Sequence, residues 1–334
     1  MEEATVAVDV SVGIAVSPRD GHDGDVLLQH ADVAMYEAKA TGSGVAAYDT
    51  GLDRHNADNL ALLAELRGSI ARGELLVEYQ PKVRSTDGVP VAMEALVRWE
   101  HPSRGRVPPE LFIPLAERSG FIHSLTAFVL GAALDECRSW RDAGLTIGVS
   151  VNISARNLTE ETLPELVCAE LDRSGVPARC LELEITESAL MGDLERAQER
   201  LGELCGLGLR LAIDDFGTGM SSLSYLRDLP VHVLKIDRSF VTDMLEDPTD
   251  TAIVRAVVDL GASLGLETVA EGVEDAPTLR HLAVIGCTHA QGYVIGRPMP
   301  AADVMAWCQS RVVHPPDTPD PLGPPGPARV AHGA

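Results

Sequence analysis

The chain has 334 residues, with 50 acidic against 27 basic, a formal net charge of −23, and 45% hydrophobic but only 4% aromatic residues. So acidic a field repels nucleic acid and anionic membrane surfaces, so neither is an expected partner, and an anionic substrate would need bound cations or a few placed arginines. The length suits one large domain with additions, and the scarcity of aromatics implies an aliphatic core.

No signal peptide opens the chain, because MEEATVAVDV is acidic and short of apolar residues. Residues 6–16 alternate apolar with small or polar residues and predict a strand. Residues 25–40 set Leu27, Leu28, Ala31, Ala34, Met35 and Ala38 at helical spacing, and residues 45–49 predict a short strand. A piece of this size, residues 1–50, cannot bury a core of its own. Residues 53–72 predict a helix with Leu60, Leu63, Leu66 and Ile70 inward, within a linker at 51–74. From residue 75 to about 307 strands and helices alternate, with helices expected at 124–143, 160–174, 192–207, 249–264 and 276–285. That alternation means an α/β architecture with a mainly parallel sheet. The apolar stretch at 125–134 is too short to span a bilayer. Cys137, Cys168, Cys180, Cys205, Cys287 and Cys308 form no C-x-x-C pair and lack zinc-site spacing, which predicts reduced, mostly buried thiols and a cytoplasmic location. The segment 311–334 is rich in proline and glycine and is expected to be a disordered tail.

Seven predicted strands finish in an acid, an amide or a lysine. Glu94 lies in VAMEALVRW, Asn152 in IGVSVNIS, Glu184 in LELEIT, and Asp214 and Asp215 close LRLAIDD. Lys235 lies in VLKID, Glu271 follows ETVA, and Gln291 lies in THAQGYVIG. Buried apolar strands do not end in ionisable groups without a reason. Parallel strands closed into a barrel bring such endings to one rim, and a carboxylate rim with one lysine suits a two-metal hydrolytic site. Alternation places Glu94 and Arg98 on one strand face, roughly 13 Å apart, so that one can hold a metal while the other reaches a phosphate. The plainer alternative is a structural glutamate and a surface arginine. Glu182 and Glu184 share a face, a cost that a nearby cation resolves. Asp214 and Asp215 are adjacent, so both serve one site only if the strand breaks, and Phe216-Gly217-Thr218-Gly219 is the expected break. Lys235 and Asp237 share a face, where the lysine orients a water, meets a phosphate or forms a buried ion pair. Glu187 is expected in a loop, as a helix cap or a site residue, and Glu271 and Glu274 flank Gly272-Val273.

Tyr79-Gln80-Pro81, Glu94-Ala95-Leu96, Val151-Asn152-Ile153-Ser154, Glu184-Ile185-Thr186-Glu187-Ser188, Asp214 through Gly219, Leu234-Lys235-Ile236-Asp237, Ala270-Glu271-Gly272-Val273-Glu274 and Gln291-Gly292-Tyr293 follow one another in order. With this series, residues 75–310 closely resemble the EAL domain, the bacterial cyclic di-GMP phosphodiesterase. The resemblance implies a TIM-like (β/α) barrel whose first strand runs antiparallel to the others. It implies that Glu94, Asn152, Glu184, Asp214 and Asp215 bind two Mg²⁺ or Mn²⁺ ions with help from Glu271. Lys235, Glu271, Asp215 and Gln291 would serve the hydrolytic step. Gln80, Arg98, Asp237, Glu274 and Gln291 would contact the substrate, with Arg98 at a phosphate. Glu187, Gly217, Thr218 and Gly219 would stabilise the 215–222 loop, which in this family couples metal binding to dimer contacts, so a homodimer is implied. Met220 stands where the family usually has an aromatic residue. Residues 1–50 instead resemble the final third of a GGDEF (diguanylate cyclase) domain, through Ser11-Val12-Gly13-Ile14-Ala15 and the stretch from Ala31 to Lys39. The loop that names that domain is not in this chain, which argues against cyclase activity here and predicts a loosely packed piece with exposed strand edges. The implied reaction is metal-dependent hydrolysis of cyclic di-GMP to linear pGpG. The alternatives are a catalytically silent EAL domain that binds cyclic di-GMP as a receptor, and an unrelated barrel hydrolase or lyase using the same rim.

Overall fold

The computed structural model describes residues 10–41, 44–191, 194–218 and 226–311. Residues 6–9 of the expected first strand, Gly219, Met220, the 221–222 end of the site loop and the tail from 312 onward lie outside them. The chain divides into two compact units, Met1–Ser69 and Ile70–Ala334.

In the first unit, β1 (Val12–Ile14) pairs in parallel with β2 (Val45–Ala47), and the helix Gly24–Thr41 joins them. Ala34 and Ala38 of that helix are fully buried, which small residues at this spacing allow. The helix Thr50–Ser69 follows; of the expected inward residues Leu60, Leu63, Leu66 and Ile70, Leu66 is buried, Leu63 and Ile70 are half-buried and the Leu60 side chain lies outside the described part, while Leu62 is buried instead. Among the described residues of the expected first strand, only Val12–Ile14 pair, matching the three residues of their partner Val45–Ala47. Val10, Val12, Ile14, Val16, Leu28, Met35 and Val45 all stay exposed.

The second unit is a closed barrel of eight strands. Its staves are β3 (Leu75–Arg84), β4 (Pro90–His101), β6 (Gly148–Ile153), β7 (Leu181–Thr186), β8 (Arg210–Phe216), β9 (Val233–Ile236), β10 (Glu267–Ala270) and β11 (His289–Gln291). Two short additions, β5 (Gly105–Val107) and β12 (Met299–Pro300), pair antiparallel with β4 and β3. From β4 round to β11 the staves are parallel, while β3 runs antiparallel to both its neighbours and closes the ring. Helices at Ile122–Asp142, Leu163–Ser174, Leu194–Gly206, Pro248–Leu264 and Ala276–Val284 stand close to their expected positions. Their ends follow local chemistry. Asp247 opens Pro248–Leu264 and Asp275 opens Ala276–Val284, accepting at 2.7 Å from Thr249 N and Thr278 N respectively, while Gly175 and Gly265 end Leu163–Ser174 and Pro248–Leu264 in the left-handed conformation.

Strand alternation splits the barrel into an apolar outside and a polar inside. Met93, Val149, Val151, Leu181, Leu183, Leu211, Ile213 and Leu234 face the surrounding helices, each at most 1% exposed, and form the main core with Leu130, Leu134, Val167, Leu201 and Val254. The other parity points into the lumen. Lys235 on β9 reaches Glu184 on β7 past β8, and Lys82 on β3 reaches Glu182 on β7. Pairs between strands that are not neighbours must cross the interior. Ala212, Val233 and Val269 form a small apolar patch apart from the main core.

Candidate active site

Gln80, Glu94, Asn152, Asp214, Glu271 and Gln291 line one cavity of about 570 Å³ with Arg238, Thr242, Gly272, Glu274, Gly292 and Tyr293. They come from β3, β4, β6, β8 and β11 and from the segment after β10, so the expected convergence on one barrel mouth is what the fold produces. Glu184 and Lys235 lie just beneath, each 1% exposed.

Lys235 is the hub. Its Nζ lies 2.5 Å from Glu184 Oε2, 2.6 Å from Glu271 Oε1, 3.0 Å from Asp214 Oδ1 and 4.0 Å from Glu94 Oε1. Burial works against its charge, but Asp214, Glu184, Glu271 and Glu94 outweigh that and hold its pKa well above the ordinary value. Asp237 is not its partner. That carboxylate caps the one-turn helix Arg238–Val241, with Oδ1 accepting from Ser239 N at 3.0 Å. Glu94 is held by two amides, accepting from Asn152 Nδ2 at 2.7 Å and Gln291 Nε2 at 2.5 Å. Gln291 Nε2 also donates to Gln80 Oε1 at 3.1 Å, while Gln291 Oε1 is buried without a partner among the described residues.

The two aspartates share the mouth by a device other than the expected one. β8 does not break after Asp215 but runs on to Phe216. Asp215 itself adopts φ 54°, and the β8–β9 register shifts between Ile213 and Phe216. One left-handed residue in a bulge undoes the alternation, and aspartate tolerates that conformation better than most side chains. One oxygen each of Asp214, Asp215 and Glu271 then lie within 4.8 Å of one another.

This cluster carries more negative charge than its lysines neutralise. Burial and the Glu184 charge push the Glu94 carboxyl up. Burial and Asp214 push Asp215 up to about 6, and burial pushes Glu271 up to about 8 although Lys235 opposes the rise. Glu184 goes the other way: burial opposes its charge, but Lys235 and Lys82 hold its pKa well below the usual range. Carboxylates frustrated in this way bind hard divalent cations in exchange for protons, so Asp214, Asp215 and Glu271 could hold a metal ion.

Other expected residues sit nearby. Glu187 is buried at the start of the one-turn helix Glu187–Leu190, and its Oε2 accepts from Gly217 N at 2.9 Å. Thr218 turns back on the bulge, its Oγ1 donating to Asp215 O at 2.9 Å. Glu274 is exposed on the cavity wall. Arg98 lies elsewhere: its Nε pairs with Glu78 Oε2 at 2.9 Å, and it lines a neighbouring groove of about 510 Å³ that shares only Asn152 with the first cavity. Sequence reasoning missed Arg238, an exposed cation on the cavity wall, because it begins a helix that is too short to show a period. It also missed Lys82, whose place beside Pro81 carried no signal of burial. Lys82 and Arg210 flank Glu182, so the cation that resolves the Glu182–Glu184 cost at Glu182 is a side chain. All six cysteines are free. Cys137, Cys180, Cys287 and Cys308 are buried as expected, whereas Cys168 is exposed.

The EAL domain family matches residues 63–298, and the diguanylate cyclase GGDEF domain family matches residues 1–44. The bifunctional diguanylate cyclase/cyclic di-GMP phosphodiesterase MucR of Pseudomonas aeruginosa is 41% identical over 303 residues, which is 90% of this chain and 44% of MucR. The cyclic di-GMP phosphodiesterase PdeR of Escherichia coli is 37% identical over 303 residues, covering 90% of this chain and 46% of PdeR. The chain thus spans less than half the length of these curated relatives. Among solved structures, the PaMucR phosphodiesterase in complex with c-di-GMP superposes with a TM-score of 0.71 at 42% identity, over 73% of this chain and 99% of that one. The EAL domain of Mycobacterium smegmatis DcpA superposes with a TM-score of 0.61 at 34% identity, over 72% of this chain and 99% of its own. No helix among the described residues is long and apolar enough to cross a membrane.

Proposed function

The chain belongs to the EAL domain family, and from that membership we propose that it hydrolyses cyclic di-GMP to linear pGpG at the barrel mouth. The observation that carries this reading is the joining of Glu184, Asp214 and Glu271 through one buried lysine, beside the amide-held Glu94. Two Mg²⁺ or Mn²⁺ ions held by Glu94, Asn152, Glu184, Asp214, Asp215 and Glu271 would supply Lewis-acid activation of a phosphodiester.

The chain's own side chains do the rest. Lys235, within 3.0 Å of Glu184, Asp214 and Glu271, would orient or activate the attacking water or meet a phosphoryl oxygen. Asn152 and Gln291 fix Glu94, and Gln80 holds Gln291. Water attacks phosphorus in line, the bond to the 3′-oxygen breaks, and the linear dinucleotide forms. Two cavities meeting at Asn152 suit a substrate with two guanosine lobes, with Arg98 in one and Arg238 and Glu274 in the other. Glu187, through Gly217, anchors the segment that starts the site loop. We assign the chain a cytoplasmic setting and a homodimer through the barrel domain. Residues 1–50 hold no Gly-Gly-Asp-Glu-Phe run, so we assign them no cyclase activity.

The test is incubation of the purified chain with cyclic di-GMP and Mg²⁺ or Mn²⁺, beside Glu94→Ala and Asp214→Asn. The wild type should release pGpG, and both variants should lose turnover. A wild-type rate in either variant would remove the site assignment.

A further inference from the structure

Beneath the mouth lies a second tier of charge for which the hydrolytic step has no direct use. Lys82 on β3 is 2% exposed. Its Nζ is 2.8 Å from Glu182 Oε1 and also contacts Glu184 Oε1. Because Lys235 holds Glu184 Oε2 at 2.5 Å, the Glu184 carboxylate has an ammonium on each of its two oxygens. The tier continues downward. Glu182 Oε2 is 3.3 Å from Arg210 Nε, and Arg210 Nη2 is 2.5 Å from Glu267 Oε2. Lys82 is thus tied from β3 to β7 across the lumen, and β7 is tied in turn to β8 and β10.

We propose that Lys82 is a positioning residue for the divalent-cation site, fixing the plane of the Glu184 carboxylate while Glu182 and Arg210 fix Lys82. This rests on the reading of Glu184 as a metal ligand. Partners that orient a ligating side chain act on metal affinity about as strongly as some ligands do. A buried ammonium held by two carboxylates on one strand leaves Glu184 a narrow range of orientations. A lysine acting only through its charge would do the opposite, since a cation beside the site repels an incoming cation. Loss of charge alone predicts tighter Mn²⁺ binding, and loss of positioning predicts weaker binding, so the sign of the change decides.

The experiment measures Mn²⁺ affinity by calorimetry or electron paramagnetic resonance on the full chain, without substrate, beside the thermal unfolding midpoint. Lys82→Met should weaken Mn²⁺ binding about tenfold or more and lower the midpoint. Lys82→Met combined with Glu182→Gln also removes the carboxylate that has lost one of its two cations, so its midpoint should recover while Mn²⁺ binding stays weak. Wild-type or tighter Mn²⁺ binding in that double variant overturns the positioning role. Glu184→Gln separates this from the premise. A loss of Mn²⁺ affinity there, with wild-type affinity in the double variant, overturns Lys82 alone, whereas unchanged affinity in Glu184→Gln removes both the ligand and its positioning residue.

Discussion

Asp215 shows how one residue decides whether two acids can share a site. Its left-handed backbone, φ 54°, turns adjacent aspartates toward one mouth, where regular alternation would separate them. The strand-end acids were legible because each interrupts an apolar run. The bulge was not, because a single positive φ leaves no trace in the pattern of residue types. The next carboxylate of consequence is Glu187. It is 2% exposed and accepts from Gly217 N at 2.9 Å, two residues past the bulge. Glu187→Ala removes the acceptor of the N–H of an exposed glycine, which water can then take up, a cost of about 0.5–1.5 kcal/mol. It also frees the segment that aims Asp215, so turnover should fall roughly a hundredfold, the effect of about 1 Å of misplacement. Urea unfolding and steady-state rates on one preparation check both. A lowered midpoint with an unchanged rate would mean that the anchor is structural only.

At the scale of elements, the long helices showed in the sequence because their period and caps agree, as with Asp275 opening Ala276–Val284. The helix Pro109–Ser119 did not, since Pro114 interrupts its pattern. The one-turn helices Ala155–Leu158, Glu187–Leu190 and Arg238–Val241 escaped because four residues complete barely one period. They follow β6, β7 and β9 directly, which is how Arg238 reaches the cavity wall. The end of β11 is set by a close approach that only glycine allows: a Cβ on Gly292 would stand 2.2 Å from the backbone N and O of Val273. Gly292→Ala must therefore separate β11 from the segment after β10, at about 1–3 kcal/mol. Because the shift moves Gln291 off Glu94, the rate should fall along with the midpoint. A variant with both at wild-type values would refute the account of this contact.

For the whole molecule, the barrel was legible in the alternation of strands and helices, but its charged interior was not. Lys82 and Arg210 read as ordinary strand lysine and arginine until the ring closes and sets them against Glu182. Two histidines of this interior carry a pH signature. Burial lowers the pKa of both His232 and His289 from the usual 6.5, with Arg210 adding to the effect at each. The unfolded chain takes up those protons first, so their contribution is complete above pH 6.5 and is lost as the pH falls through the depressed folded values. Urea midpoints should therefore decline below about pH 6.5, and less steeply in His232→Asn and His289→Asn. Equal slopes in wild type and variants would place the acid sensitivity elsewhere. The central claim is that the carboxylate mouth turns over cyclic di-GMP only with a divalent cation. Its most direct test is to strip the full chain with a chelator, add cyclic di-GMP, restore Mn²⁺ and separate the nucleotides. The account predicts intact cyclic di-GMP before Mn²⁺ and pGpG after it. Cyclic di-GMP that is bound yet recovered whole at saturating Mn²⁺ would contradict it and identify a receptor.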